Sequence, residues 1–202
     1  MGIALALPAG AAAHATLLHS SPADRGVVPT APREVRFVFD DKVRVASGIR
    51  AIRNAGGQFR TYPALPRAPH YQTLNPTPAP KWNSFPPTSG RHYYQPLIFG
   101  IYTEPVPEIR AVHNLEHGAV ILQYGDKVSK AGVAKITAWY RQDANAVLVA
   151  PLPKLGDKVA LTAWTRWAET TGFNEKVAND FRRAFRYKAP EHYPKSYLNP
   201  GE

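Results

Sequence analysis

Hydrophobic and polar positions alternate along three short segments near the amino terminus of the chain. This period of two is typical of half-buried β-strands, and it predicts strands over residues 16–20, 34–39 and 48–53. Three strands can bury a common face only when another layer covers it. We therefore expect this part of the chain either to pack on the rest of the protein or to be a fragment of a larger sandwich.

Further along, the apolar positions switch between a helical period and short continuous runs. The predicted elements are a helix over 107–117, a strand over 119–124, a helix over 129–140, strands over 146–150 and 158–164, and a helix over 174–187. Ser129 and Asn174 are typical N-cap residues, and Gly118 is placed to end the first helix in the left-handed conformation. The run at 146–150 is apolar throughout, which predicts a central strand. This order predicts an α+β fold with a small mixed sheet and two or three helices.

Proline usage marks a boundary between these two parts. The chain has 20 prolines in 202 residues, about twice the usual share of roughly 5%, and many lie between residues 62 and 87. Such a stretch is extended and poor in regular hydrogen bonds. We read its first half as a linker and its second half as an ordered arm of the domain that follows.

The net charge of +10 raises the question of a nucleic-acid partner. The basic residues are scattered apart from a late cluster at 182–188, and no recognition motif accompanies them. We therefore expect no nucleic-acid partner. Attraction to an anionic envelope surface, or to a protein partner there, remains compatible with this charge.

The amino terminus resembles a secretory signal. Residues 2–13 read GIALALPAGAAA and end in small residues that a signal peptidase accepts, although the basic residues that open a signal peptide are missing. We interpret residues 1–13 as a signal-peptide remnant and expect an exported protein in the periplasm or another extracytoplasmic compartment. No run approaches the roughly 18 apolar residues of a membrane helix, so we expect no membrane span in the mature chain.

The stretch 112–118, VHNLEHG, carries the clearest candidate chemistry. In a strand, residues four apart lie about 13 Å from each other, whereas on a helical turn they are about 6 Å apart and can converge on one ion. The flanking Pro107 and Gly118 favour the turn. His113 and His117 are therefore a candidate ligand pair, with Glu116 as third ligand, outer-sphere acceptor or base. The alternative is that one histidine binds a buried carbonyl and the other is exposed.

The motifs PPTSG-x-HY at 86–93 and VHNLEHG at 112–118 resemble a bacterial family, the domain of unknown function numbered 3105. The resemblance covers about residues 70–187, and Arg91 stands where the family usually has proline. It implies an exported or membrane-anchored protein without an assigned activity. With His92 added from the first motif, three imidazoles would suit Cu(II) or Zn(II).

Residues 14–54 resemble the start of the CopC family of periplasmic copper-resistance proteins, through HATLLHSSPADRG and the strand that follows. This resemblance implies a short β segment like part of an immunoglobulin-like sandwich, with His14 as a Cu(II) ligand once residues 1–13 are removed. It stops near Gly57, before the other ligands of that family. The expected division of the chain is a signal remnant at 1–13, a partial CopC-like segment at 14–60, a proline-rich linker at 61–80, an α+β domain at 81–190 and a tail at 191–202.

Three functions are compatible with these features. The first is an exported protein that sequesters or delivers a metal through His92, His113, His117 and Glu116, with His14 as a further site. Copper(II) is the expected ion and zinc the next, because the chain has no cysteine and only one methionine, at its start. The second is a structural or partner-binding envelope domain without metal. The third is a metal-dependent hydrolase using the HxxEH motif; we favour a binding protein over an enzyme.

Overall fold

The computed structural model describes residues 17–21, 23, 36–39 and 57–201, and the chain divides into two compact units, Met1–Arg50 and Ala51–Glu202. In the first unit, β1 (Leu17–Ser21) and β2 (Arg36–Phe39) pair as antiparallel strands. The strands predicted at 16–20 and 34–39 are confirmed. The strand predicted at 48–53 and the candidate ligand His14 lie outside the described residues.

The second unit is an α+β domain, which confirms the predicted class. Its elements are β3 (Gln58–Thr61), α1 (Glu108–Glu116), β4 (Val120–Tyr124), α2 (Lys130–Gln142), β5 (Val147–Pro151), β6 (Lys158–Ala163), β7 (Arg166–Thr171) and α3 (Glu175–Phe185). Two short 3-10 turns, Pro153–Leu155 and Lys195–Leu198, complete the set. None of the helices in the described parts of the chain is long and apolar enough to cross a membrane.

The five strands of this unit form one mixed sheet in the order β3-β7-β6-β4-β5, in which only β4 and β5 are parallel. The prediction of a central strand at 146–150 is therefore wrong, because β5 lies at the edge. Its apolar sequence has another cause. The loop before α1 covers this edge, with Val149 N–H donating to Gly100 O (3.0 Å) and Tyr102 N–H donating to Val149 O (2.8 Å), so β5 is buried without a sixth strand.

The sheet separates two apolar cores. Alternate residues of β4 point to opposite faces, so Leu122 packs with α2 and α3, while Ile121 packs with α1. Trp139 of α2 and Phe181 of α3 fill the first core, and Leu115 of α1 belongs to the second. As a result α1 lies on the face of the sheet opposite to the other two helices.

Local signals fix the helix ends much as predicted. The side chain of Ser129 accepts from Gly132 N–H (3.1 Å) and that of Asn174 accepts from Val177 N–H (3.1 Å), so both predicted N-caps are confirmed. Pro107 caps α1 instead of occupying its first turn. Gly118 follows α1 with φ of +93°, and a Cβ there would lie 2.9 Å from Tyr187 Cα. This turn therefore requires glycine for two reasons, its positive φ and the close approach of Tyr187.

The basic cluster at residues 182–188 connects α3 to the end of α2. Arg186 binds both carboxylate oxygens of Asp143 (2.7 and 2.6 Å), and Arg182 Nη1 donates to Asp143 O (2.9 Å). Asp143 directly follows α2, Arg182 lies in the last turn of α3, and Arg186 directly follows that helix. Two of the cluster's cations thus join the carboxyl ends of these helices.

Candidate metal centre

The carboxyl end of α1 buries three polar side chains. His113, Glu116 and His117 are 6%, 0% and 8% exposed, respectively. The helical turn brings the rings of His113 and His117 together, with centroids 4.5 Å apart, as the spacing of four predicts. Both histidines are buried, so the alternative in which one of them faces solvent does not apply.

The loop ahead of α1 adds His92 to this group. Its ring is completely buried and its centroid lies 4.7 Å from that of His113. His92 Nδ1 lies 2.8 Å from Gly90 O, and His113 Nδ1 lies 2.8 Å from Tyr93 O. A carbonyl oxygen can only accept, so both Nδ1 atoms carry hydrogen. In its neutral form each ring therefore presents its Nε2 lone pair, which is the arrangement that fixes metal-binding histidines in proteins.

A short contact joins His92 to the centre of the group. His92 Nε2 lies 3.0 Å from Glu116 Oε2. With Nδ1 protonated, a neutral His92 ring would face the carboxylate oxygen with its Nε2 lone pair, and two lone pairs repel at this distance. The contact becomes favourable only when a cation, either a proton on Nε2 or a metal ion, is shared between them.

Glu116 is held as a carboxylate from its other side. Arg67 Nη1 donates to Glu116 Oε1 (2.7 Å) and to Glu191 Oε1 (3.1 Å). Burial alone would raise the pKa of Glu116, but the proximity of His92 and the hydrogen bond from Arg67 outweigh it and lower the pKa to about 2. Glu116 is thus charged at every physiological pH, with Oε2 directed at the histidines.

The histidines of α1 are held in the neutral form. Burial, reinforced by the neighbouring imidazoles, lowers the pKa of His113 and of His117 to about 4. A neutral imidazole is the form that binds a metal ion.

One sequence family accounts for this region. A sequence profile described as "Protein of unknown function (DUF3105)" matches residues 77–197. The chain belongs to the DUF3105 family. The comparison with curated proteins and that with solved structures found no match. The predicted membership is therefore confirmed, whereas the resemblance of residues 14–54 to CopC stays a prediction.

The DUF3105 protein has a fourth histidine in the cluster, His70, that our sequence analysis missed. Its Nε2 lies 3.5 Å from Glu116 Oε2, and its ring centroid is 4.6 Å from that of His92. The backbone places it there, because Tyr71 N–H donates to His92 O (2.8 Å). Arg91 secures the same segment by donating to Pro69 O (2.8 Å) and stacking over Tyr71. The one available signal was that His70 is the only histidine in the proline-rich stretch 61–80.

The carboxyl-terminal segment of the DUF3105 protein closes the other side. Tyr193 stacks on His117 with ring centroids 4.0 Å apart, and Glu191 Oε2 lies 3.3 Å from His117 Nε2. Glu191 N–H also donates to Glu116 O (3.2 Å). Residues on both sides of the predicted α+β domain, in the stretches read as linker and tail, therefore contribute to the cluster.

Together these side chains form two candidate metal-binding groups. His70, His92 and Glu116 have ligand atoms within 4.8 Å of one another, and so do His113, Glu116 and His117. Of the residues predicted as ligands, four thus lie in one cluster: His92 in the first group, His113 and His117 in the second, and Glu116 in both.

A second carboxylate, at the start of α1, lies where its charge is disfavoured. Burial raises the pKa of Glu108 to about 7, and a hydrogen bond from Gln123 Nε2 (2.5 Å) opposes that rise only in part. The folded protein therefore holds this proton more tightly than the unfolded chain does. Glu108 contributes stability that is complete below pH about 4.5 and is lost as the pH rises through about 7.

Glu108→Gln is expected to remove this pH dependence. The variant's free energy of unfolding should exceed that of the native protein by about 1–3 kcal/mol at pH 8.5 and be close to it at pH 4.5. Urea unfolding at both pH values measures the difference. The matched control is Glu104→Gln, at an exposed position. The free energy of unfolding of this variant should differ from that of the native protein by the same amount at both pH values. Lower stability of Glu108→Gln at pH 8.5 would show that the ionised carboxylate is favoured in the fold.

Proposed function

We propose that this DUF3105 protein binds a transition-metal ion in the cluster of His70, His92, His113, Glu116 and His117, and that it sequesters or delivers Cu(II). The observation that carries the proposal is the 3.0 Å approach of His92 Nε2 to Glu116 Oε2. When the His92 ring is neutral, two lone pairs face each other there in a completely buried place. A metal ion bound to both atoms converts this repulsion into coordination.

Three buried atoms support the same proposal. Among the described residues, His92 Nε2, Glu116 Oε2 and His117 Nε2 have no hydrogen-bond partner. Leaving a buried polar atom without a partner costs about 1–3 kcal/mol, and native proteins rarely accept that cost several times in one place. All three atoms are of the kinds that bind metal ions, and all three belong to the cluster.

The donor set favours Cu(II), with Zn(II) next. Imidazole nitrogen and carboxylate oxygen suit both ions, and Cu(II) is bound more tightly by a given set of such ligands. The chain has no cysteine and a single methionine, Met1, and therefore lacks the soft ligands that select Cu(I). Export of the protein, with His14 as a second Cu(II) site at the new amino terminus, belongs to the same proposal.

The state of Glu116 argues against the hydrolase that the HxxEH motif suggests. A general base works best with a pKa near the operating pH, whereas the neighbouring His92 and the hydrogen bond from Arg67 hold the pKa of Glu116 at about 2, against the effect of burial. One of its oxygens accepts from Arg67, and the other faces the ring nitrogens of His70 and His92. The geometry suits a ligand better than a base.

A structural domain without metal is the competing function, because a proton on His92 Nε2 would also satisfy the contact with Glu116. The two functions differ in their response to added metal. An ion that binds only the folded state at 100 times its dissociation constant adds about 2.7 kcal/mol, which raises the melting temperature of a chain of this size by about 5–10 °C.

The test uses the full chain without a polyhistidine tag, melted with and without Cu(II) or Zn(II). We expect the melting temperature to rise and the His113→Ala/His117→Ala double variant to lose most of that rise. His192→Ala is the matched control, since His192 is exposed and belongs to neither candidate group. An unchanged melting temperature of the native protein would exclude metal binding and favour the structural domain.

A further inference from the structure

The cluster has more donors than a tetrahedral ion such as Zn(II) uses. Protein Zn(II) sites use three or four ligands at about 2 Å, whereas here four imidazoles and Glu116 lie together. The ring centroids of His70, His92 and His113 form a triangle with sides of 4.6, 4.7 and 5.1 Å. His117 extends this triangle beyond His113, at 4.5 Å. The ligand atoms fall into two groups, His70, His92 and Glu116 in one and His113, Glu116 and His117 in the other.

Glu116 is common to both halves of the arrangement. On one side its Oε2 lies 3.0 Å from His92 Nε2 and 3.5 Å from His70 Nε2. On the other side, Glu116 belongs with His113 and His117 to a second group whose ligand atoms are within 4.8 Å of one another. A carboxylate between two sets of histidines is the usual bridging ligand of a two-ion site.

We propose that the cluster holds two metal ions bridged by the Glu116 carboxylate. The first ion would bind His70 and His92, and the second would bind His113 and His117. Protein sites of this kind keep their ions about 3.5–4 Å apart, and the ring centroids of His92 and His113, one from each half, lie 4.7 Å apart. The inference rests on the proposed function and extends it from one ion to a coupled pair.

The second half has an additional acidic group at its edge. Glu191 Oε2 lies 3.3 Å from His117 Nε2. Arg67 Nη1 donates both to Glu191 Oε1 and to Glu116 Oε1. Two divalent ions bring four positive charges into a largely buried place. A second carboxylate beside the cluster reduces the mutual repulsion of those charges, so its position supports a pair of ions.

Stoichiometry and magnetic coupling test the inference. The full chain with residues 1–13 retained and no polyhistidine tag should be used, because an amino-terminal His14 would add a copper site of its own. We expect it to take up two equivalents of Zn(II). With two equivalents of Cu(II), its integrated paramagnetic resonance signal should be well below two spins per chain, since neighbouring Cu(II) ions couple.

Separate variants address the two halves. His70→Ala, in a partly exposed loop, and His117→Ala are each expected to retain one equivalent of Cu(II), with a signal close to one uncoupled spin. His192→Ala should behave as the native protein does. Circular dichroism verifies that each variant is folded.

Two results would overturn the inference. One is saturation of the native protein at a single equivalent, which would leave the proposed function standing; absence of binding would remove both. The other is uptake of two coupled ions by His70→Ala, which would show that the first half of the site is assigned wrongly.

Discussion

Glu116→Gln is expected to weaken Cu(II) and Zn(II) binding by at least about 100-fold, since even outer-sphere partners of metal ligands typically contribute 10–100-fold. Among the residues that the structure describes, Glu116 alone belongs to both candidate groups. Glutamine keeps the shape of the side chain but replaces the carboxylate with a neutral amide, a far weaker ligand. Titration against a chelator of known affinity measures the loss.

The same variant separates the two competing functions when no metal is present. If the native contact is an ion pair between protonated His92 and Glu116, removing one partner from this buried place should destabilise the fold by about 3–5 kcal/mol. If the contact is a preformed metal site, glutamine can donate to His92 Nε2 and the metal-free variant should be nearly as stable as the native protein. Urea unfolding in the presence of a chelator distinguishes these results.

Glu191→Gln is the matched control for this prediction. Glu191 also binds Arg67, at 3.1 Å, but it is about one-third exposed and lies beside the second group only. We expect its replacement to weaken metal binding by less than about tenfold, in keeping with the small contribution of exposed charge pairs. Equal losses in the two variants would mean that overall charge, rather than coordination by Glu116, controls binding.

The fold was predictable where its signals are local. Ser129 and Asn174 mark the starts of α2 and α3 because their side chains cap the helices. The apolar residues of both helices recur with a helical period because one face of each helix is buried. The short strands β3 and β7 were missed because each owes its existence to partners elsewhere in the sheet, chiefly the pairing of Gln58–Thr61 with Arg166–Thr171. Continuous apolar sequence indicated burial of β5 correctly but did not indicate its place in the sheet.

The candidate site divides in the same way. The pair His113 and His117 was recognisable because a helical turn alone brings residues four apart together. His70 and Arg67 were not recognisable, because they reach Glu116 from an irregular segment more than 40 residues earlier. Residues 61–80 show neither the alternating nor the helical apolar pattern from which a side-chain direction could be inferred. Only the pairing of Tyr71 with His92, a contact between two loops, shows where His70 lies.

Asn114→Ala is expected to destabilise the second unit by about 2–4 kcal/mol, since it would leave two buried backbone groups without partners at about 1–3 kcal/mol each. Asn114 is completely buried within α1. Its Oδ1 accepts from Leu97 N–H and its Nδ2 donates to Leu97 O, both at 2.8 Å. These two bonds fasten α1 to the loop that continues from His92 and Tyr93.

The two hydrogen bonds of Asn114 also link the stability of the fold to the geometry of the candidate metal centre. Tyr93 O orients the ring of His113, and its segment carries His92, so loosening the loop should weaken metal binding as well as the fold. Urea unfolding and metal titration of the same variant measure both effects. Asn83→Ala is the matched control, because Asn83 Nδ2 also donates to a backbone carbonyl, Pro63 O at 2.9 Å, but does so at the surface. Its cost should stay below about 1 kcal/mol. Equal losses of stability in Asn114→Ala and Asn83→Ala would mean that burial adds nothing to the hydrogen bonds of Asn114. In that case these bonds would not be what holds α1 to the loop.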